Sequence, residues 1–274
     1  MTVPGDDHHA DLDLDSALGV ALEAARIAIR TVRDTPLGAV RTKADAADPV
    51  TEVDTAVERA VRELIGTRLP GHRVVGEEYG GEAGDGPTWY CDPVDGTTNL
   101  AAGLPWTSFS LSLAVGSTPL VGVVADPWRS EILHAVQGRG CFVDDVQVPA
   151  ARGDNRSRLS GGVVLTEWAR HQPWPGMLEL LAALAERHCT TRVMGSSTLT
   201  LAQPAAGRCT GAVVGEFHPE DHLAATLLCQ EAGLAVWDES GRQQPFPAEG
   251  GLMVADPAAA EELFTLWSAS RRSG

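Results

Sequence analysis

Apolar residues recur at helical spacing near the start of the chain. Leu18, Leu22, Ala25, Ile29 and Val32 share one face of a helix predicted from Asp13 to about Arg33. The polar stretch Asp34 to Asp48 breaks that pattern, and residues 1–11 read as a frayed tail. A second helix is predicted from near Thr51, burying Val57, Ala60, Val61, Leu64 and Ile65. The period then changes. Arg73–Gly76 and Trp89–Asp92 read as short strands ending in polar residues. Phe109, Leu111 and Leu113 alternate with Ser108, Ser110 and Ser112. Leu120–Ala125, Glu131–Val136 and Gly140–Val143 follow, each bounded by Gly, Pro or Asp, so the block reads as an antiparallel meander.

The second half alternates. Strands are predicted at Val163–Thr166, Arg192–Met194, Ala212–Val214 and Leu234–Trp237. Helices are predicted near Met177–His188, Thr198–Ala206, Asp221–Ala232 and Pro257–Ser268. Strands in a run followed by alternation indicate an α+β chain of two layered sub-domains. The expected units are residues 12–148 and 160–270, packed as one compact body, with a linker in ARGDNRSRLSGG.

Composition narrows the chemistry. Of 274 residues, 21 are basic and 37 acidic, a formal charge of −16. Phosphate backbones need clustered Lys and Arg, so no nucleic-acid partner is expected, and no anionic membrane surface. An anionic substrate fits only if bound cations reverse the local sign. Cys91, Cys141, Cys189, Cys209 and Cys229 form no C-x-x-C pair, which suggests reduced thiols and a cytoplasmic protein. No targeting or membrane-spanning segment is evident.

The candidate chemistry centres on Trp89-Tyr90-Cys91-Asp92-Pro93-Val94-Asp95-Gly96-Thr97-Thr98-Asn99. Proline pushes Asp92 into extended geometry, so Asp92 is expected to end a strand. The tight turn returns Asp95 to the side of Asp92, and Gly96 lets backbone approach a ligand. If a helix starts at Thr97, its N–H groups favour an anion. Two carboxylates and a carbonyl suit a hard divalent ion such as Mg2+. Further acids lie in Gly76-Glu77-Glu78 and in Thr51-Glu52-Val53-Asp54. In the latter, Thr51 and Asp54 also fit a helix capping box. Gly195-Ser196-Ser197 and His218-Pro219-Glu220-Asp221 complete the set, Asp221 also being a plausible first-turn acid.

These stretches, in this order, resemble the inositol monophosphatase family of Mg2+-dependent, lithium-sensitive-type phosphatases. Its patterns are G-E-E, W-x-x-D-P-[IV]-D-G-T-T-N and W-D-x-A-A…E-A-G. Trp89 to Asn99 matches the second at every fixed position, and Asp221 to Glu231 keeps the interval of the third. Gly122 to Pro127 and Gly138 to Phe142 resemble two further strand segments of the family. The likeness runs over about residues 15–265.

The resemblance implies a layered α/β/α/β/α sandwich of the inositol monophosphatase and fructose-1,6-bisphosphatase type. It implies hydrolysis of a small phosphorylated metabolite by water activated on two to three Mg2+ ions, and a homodimer. It makes Glu77, Asp92, the Val94 carbonyl, Asp95 and Asp221 metal ligands. Asp54 and Thr97, with Glu77, would activate water. Gly96, Thr97, Gly195 and Ser196 would hold phosphate or substrate. Relatives' substrates, histidinol phosphate and fructose 1,6-bisphosphate, remain alternatives, as does a non-catalytic metal- or phosphate-binding protein. Two departures stand out. Glu220 replaces the Trp before the metal Asp. Seven residues before Asp221, where inositol-directed members carry Glu, this chain has Val214, with Glu216 two residues on.

Overall fold

The computed structural model describes residues 12–38, 40–42, 49–151 and 158–273; the expected tail, the end of the polar stretch before Pro49, and residues 152–157 of the expected linker lie outside them. Two helices open the chain: α1 (Leu14–Asp34) and, after the short strands β1 (Arg41–Thr42) and β2 (Pro49–Val50), α2 (Glu52–Arg68). The Asp13 carboxylate accepts the Ser16 N–H and starts α1. A capping box of Thr51 and Asp54 starts α2, as the sequence suggests. The buried stripe of α1 is rich in alanine (Ala17, Ala21, Ala24, Ala25, Ala28), which lets the helix lie close on a sheet.

That sheet has seven strands: β3 (Arg73–Gly76), β4 (Thr88–Asp95), β5 (Ser108–Val115), β6 (Thr118–Asp126), β7 (Glu131–Val136), β8 (Cys141–Val143) and β9 (Val146–Gln147). They pair in chain order, β3 parallel to β4 and the rest antiparallel. The short helix α3 (Thr97–Ala102) leaves the end of β4. The alternation in β5 sorts its two faces. Phe109, Leu111 and Leu113 pack with Val57, Val61 and Trp89 beneath α1 and α2. Ser108, Ser110 and Ser112 are buried as well, on the face that meets the next layer.

A second sheet has the order β11-β10-β12-β14-β13, from β10 (Val163–Thr166), β11 (Thr190–Val193), β12 (Gly211–Val214), β13 (Ala235–Asp238) and β14 (Leu252–Ala255). The strand β14, absent from the sequence reading, runs antiparallel between β12 and β13. The second half is therefore a mixed sheet and not a plain βα repeat. Helices α4 (Met177–Glu186) and α7 (Pro257–Ser273) pack together on this sheet.

Between the sheets lie α5 (Ser197–Ala205) and α6 (Pro219–Glu231). A helix that is apolar all round belongs in a core. Every residue of α6 from His222 to Cys229 is buried, and so is every residue of α5 after its first. The small serines of β5 and Gly122 of β6 make room for α6. A Cβ on Gly122 would stand 2.9 Å from the Ala224 carbonyl oxygen. The order helices, sheet, helices, sheet, helices is the layered α/β/α/β/α sandwich expected.

Candidate functional site

Side chains on a strand alternate, so Asp92 and Asp95, three apart, belong on opposite faces of a regular strand. The structure resolves this with a bulge. Asp92 pairs with Ser110 and Asp95 with Ser108, three residues of β4 spanning two of β5. The extra residue re-aims the second aspartate, a common use of bulges at functional sites. Here the sequence expectation is corrected: β4 does not end at Asp92 but continues through the bulge to Asp95. Asp92 Oδ1 accepts the Val94 N–H at 2.9 Å, closing the turn.

Gly96 follows with φ +89°. A Cβ there would stand 2.7 Å from the Gly195 carbonyl oxygen and 3.0 Å from that of Trp106, so only glycine lets this loop touch the Gly195 loop. The helix α3 begins at Thr97, as the anion-binding reading required. The Thr97 hydroxyl lies 2.9 Å from both Asp54 Oδ1 and the Val94 carbonyl oxygen. Asp54 is fully buried, and its Oδ2 also accepts the Thr51 N–H at 3.0 Å and the Thr51 hydroxyl. One carboxylate thus caps α2 and faces Thr97. Burial raises the Asp54 carboxyl above its usual range, against the pull of its Thr51 and Thr97 hydrogen bonds.

Asp95 is tied to the other half of the molecule. Its Oδ2 accepts the Ser196 hydroxyl at 2.6 Å and the Thr198 N–H at 2.7 Å. Burial raises this carboxyl to about 6. Asp92 is pushed well above the carboxylate range, first by burial, then by the charges of Glu77, Asp221 and Asp95, and it shares a hydrogen bond with Glu77. Four carboxylates, from the turn after β3, from β4 and from α6, therefore crowd one spot. Among the described residues no group of three such side chains stands at metal-holding geometry; Asp92 spends an oxygen on its own turn, and Asp95 spends its oxygens on the Ser196–Thr198 segment. Crowded acids need protons or cations. An all-oxygen, carboxylate-rich set fits Mg2+.

A cavity of about 550 Å³ opens over this spot. Glu77, Asp95, Gly96, Thr97, Gly195, Glu216 and Asp221 line it. Asp54, Asp92 and the Val94 backbone stand behind that wall. Ser196 is fully buried and faces Asp95 and Ser108, while Ser197 reaches the cavity. Val214 ends β12 in the wall, buried, whereas Glu216 is mostly exposed, 3.6 Å from His218 Nε2.

Two buried acids that the sequence reading missed hold the loops. Glu58 of α2 accepts the Glu78 N–H at 2.7 Å and the Arg62 Nε–H at 2.8 Å, propping the Glu77 turn. Glu167, just past β10, accepts the Met194 N–H at 3.0 Å, the Gly195 N–H at 2.7 Å and the Thr200 hydroxyl at 2.6 Å. A third carboxylate, Glu231, accepts the N–H groups of Gly138 and Gly140 at 2.8 and 2.7 Å. That clamp explains the joint presence of the glycine turn and the late acid. No local spacing signals Glu58 or Glu167 as loop props, because the backbone N–H groups they accept lie 20 to 28 residues away.

Residues 13–271 match the model of the inositol monophosphatase family. The chain is 34% identical to Nus factor SuhB of Pasteurella multocida over 79% of its own length and 81% of that protein's. It is 33% identical to human inositol monophosphatase 2, covering 82% and 80%. Among solved structures, the Thermotoga maritima IMPase superposes with a TM-score of 0.84 at 25% identity, over 94% of this chain and 98% of that one. An IMPase/NADP phosphatase solved with Mg2+ and phosphate shares the fold at TM-score 0.76 and 18% identity, covering 92% and 94%.

Proposed function

We propose that this chain, which belongs to the inositol monophosphatase family, hydrolyses a small phosphomonoester in a Mg2+-dependent reaction. The observation that carries the reading is the bulge that turns Asp92 and Asp95 to one side, where Glu77 and Asp221 meet them. Those four carboxylates and the Val94 carbonyl would hold two to three Mg2+ ions. Bound there, the metal would neutralise phosphate oxygens, lower the pKa of water and stabilise the leaving oxygen.

The chain's own residues do the rest. The N–H groups of Gly96 and Thr97, at the start of α3, have no partner within the helix and suit the phosphate oxygens. Thr97 holds the attacking water, and its hydroxyl passes a proton toward Asp54. The raised Asp54 pKa makes that carboxylate a better proton acceptor than an exposed one. Glu77 assists from the turn after β3. Gly195 shapes the far wall. No helix among the described residues is long and apolar enough to cross a membrane. A reduced, cytoplasmic protein acting on a diffusible metabolite is the setting we infer, with a homodimer as its assembly.

The test is phosphate release with Mg2+ across a panel of phosphomonoesters, beside Asp95→Asn. That variant loses one preorganised charge and is expected to lose at least ~10²-fold in kcat. Unchanged turnover in a folded Asp95→Asn protein would sink the metal assignment. The relatives called Nus factor SuhB favour a second reading, a non-catalytic Nus-factor role. With a net charge of −16, such a role would run through protein contacts and not direct nucleic-acid contact. It predicts no phosphate release from any member of the panel.

A further inference from the structure

The cavity has a second end. Trp168, Ala169 and Arg170 line it from the loop after β10, next to Val214, the last residue of the neighbouring parallel strand β12, and Glu216 of the loop after it. Ala169 and Gln172 exchange backbone hydrogen bonds of 2.9 and 3.2 Å, so Arg170 and His171 form a two-residue turn. Arg170 takes φ +58° in that turn. A positive φ at the first position of a tight hairpin turn is glycine's place. A non-glycine residue held there is strained, and such strain points toward function.

The side chain placed at this cost is, among the described residues, the one Lys or Arg in the cavity wall, amid Glu77, Asp95, Glu167, Glu216, Glu220 and Asp221. Among the described residues it makes no ion pair, and the nearby Glu216 faces His218 instead. Beside it Trp168 is 43% exposed, an indole surface left uncovered. On the neighbouring strand end Val214 offers no acceptor for a hydroxyl.

We propose that Arg170 and Trp168 form the leaving-group subsite, and that the substrate is a phosphomonoester whose leaving group has an apolar or planar body and a second anionic group. The proposal rests on the phosphatase reading of the same cavity. The scissile phosphate takes the end built from Gly96 and Thr97. The body of the leaving group lies against Trp168 and Val214, and its anion meets the Arg170 guanidinium, whose donor fork suits a carboxylate or phosphate.

Matched substrates test this: phenyl phosphate, 4-carboxyphenyl phosphate, 1,4-phenylene bisphosphate and 4-(aminomethyl)phenyl phosphate. The wild type is expected to favour the carboxylated ester over phenyl phosphate by about tenfold in kcat/KM, the gain of one charged hydrogen bond at a half-open site. The aminomethyl ester is expected to be the poorest. Arg170→Gln and Arg170→Gly should erase the preference, and Arg170→Lys should keep part of it. Arg170→Gly should also melt at or above the wild-type temperature, because glycine relieves the turn; lost selectivity is then not lost folding. A bisphosphate ranked above the carboxylate identifies the second anion as phosphate. Equal kcat/KM for charged and neutral esters, a preference for the aminomethyl ester, or an unchanged preference in Arg170→Gly overturns the proposal. If no ester releases phosphate, the phosphatase reading fails. The subsite is then decided by calorimetric binding of benzylphosphonate and 4-carboxybenzylphosphonate in Mg2+. Tighter binding of the second, lost in Arg170→Gln, supports the subsite, and equal binding overturns it.

Discussion

The Ser196 hydroxyl donates to Asp95 Oδ2 at 2.6 Å, joining residues 101 apart in sequence. Ser196 precedes α5 and Asp95 ends β4, so this bond ties the middle helical layer to the first sheet. It also consumes one carboxylate oxygen, which the Thr198 N–H shares. The other, Oδ1, meets Ser197 Oγ at 3.5 Å. Ser196→Ala should therefore misplace Asp95 without removing its charge. A hydrogen bond to a charged group is worth roughly 1.5–3 kcal/mol. We expect ~10-fold or greater loss in kcat/KM, with more Mg2+ needed for half-maximal activity. A Mg2+ titration of activity checks it; an unchanged half-saturation point would mean that Ser196 serves only as the cap of α5.

Mg2+ should raise the melting temperature. A ligand that binds only the folded chain stabilises it by mass action, and here it also relieves repulsion among four acids. Asp221→Ala should shrink the response. The measurement is a melting series in EDTA and in Mg2+, and coincident curves for the wild type would count against a preformed acidic metal site.

Without metal, stability should fall as pH rises from 5 to 7.5. Asp95 is raised from 3.8 to about 6, mainly by burial. The native state therefore keeps a proton that the unfolded chain releases near 4. Stabilisation is full below that value and is lost as pH climbs through about 6. Two pKa units correspond to on the order of 3 kcal/mol. Asp54, Asp92 and Glu167 are displaced in the same direction by burial. Asp92→Asn removes the most crowded charge, so it should flatten the slope and raise the metal-free melting temperature at pH 7.5. A wild type that melts higher at pH 7.5 than at pH 5 in EDTA would contradict this account.

Inositol monophosphate should be a poor substrate. Val214 accepts nothing from a ring hydroxyl, and each unmet buried polar group costs roughly 1–3 kcal/mol, or ten- to a hundredfold. Val214→Glu should raise turnover of inositol monophosphate relative to other esters. Glu216 is mostly exposed, so Glu216→Ala should change that turnover by less than about threefold. The reverse pattern, with Glu216→Ala inactive and Val214→Glu silent, would show that Glu216 has taken the polyol-binding role.

Much of this arrangement could be read along the chain because it is local. The existence of α1, the capping box of Thr51 and Asp54, and the helix after Gly96 each follow from neighbours a few residues apart, whereas the buried face of α1 is the alanine-rich one, with the expected Leu18, Leu22 and Ile29 only partly buried beside it. The Asp92–Asp95 turn was legible as a site, but not the bulge that makes it one, since a bulge is a property of pairing with β5. Leu252–Ala255 escaped notice because four apolar residues between Gly251 and Asp256 have no period to detect. The serines of β5 suggest a wet face, yet they are buried, because their small volume is what the backbone of α6 requires.

Asp221 stands in the first turn of α6, and α6 is enclosed on both sides. A helix so placed cannot slide or swivel by itself; Gly122 alone leaves it no room against Ala224. The amides of its buried stretch, His222 to Cys229, should exchange with solvent only when the whole molecule opens, so the acid we propose as a metal ligand stands directly on the slowest-exchanging part of the protein. Local breathing would then reach the Arg170 turn and leave the charge geometry at the proposed phosphate end of the cavity intact.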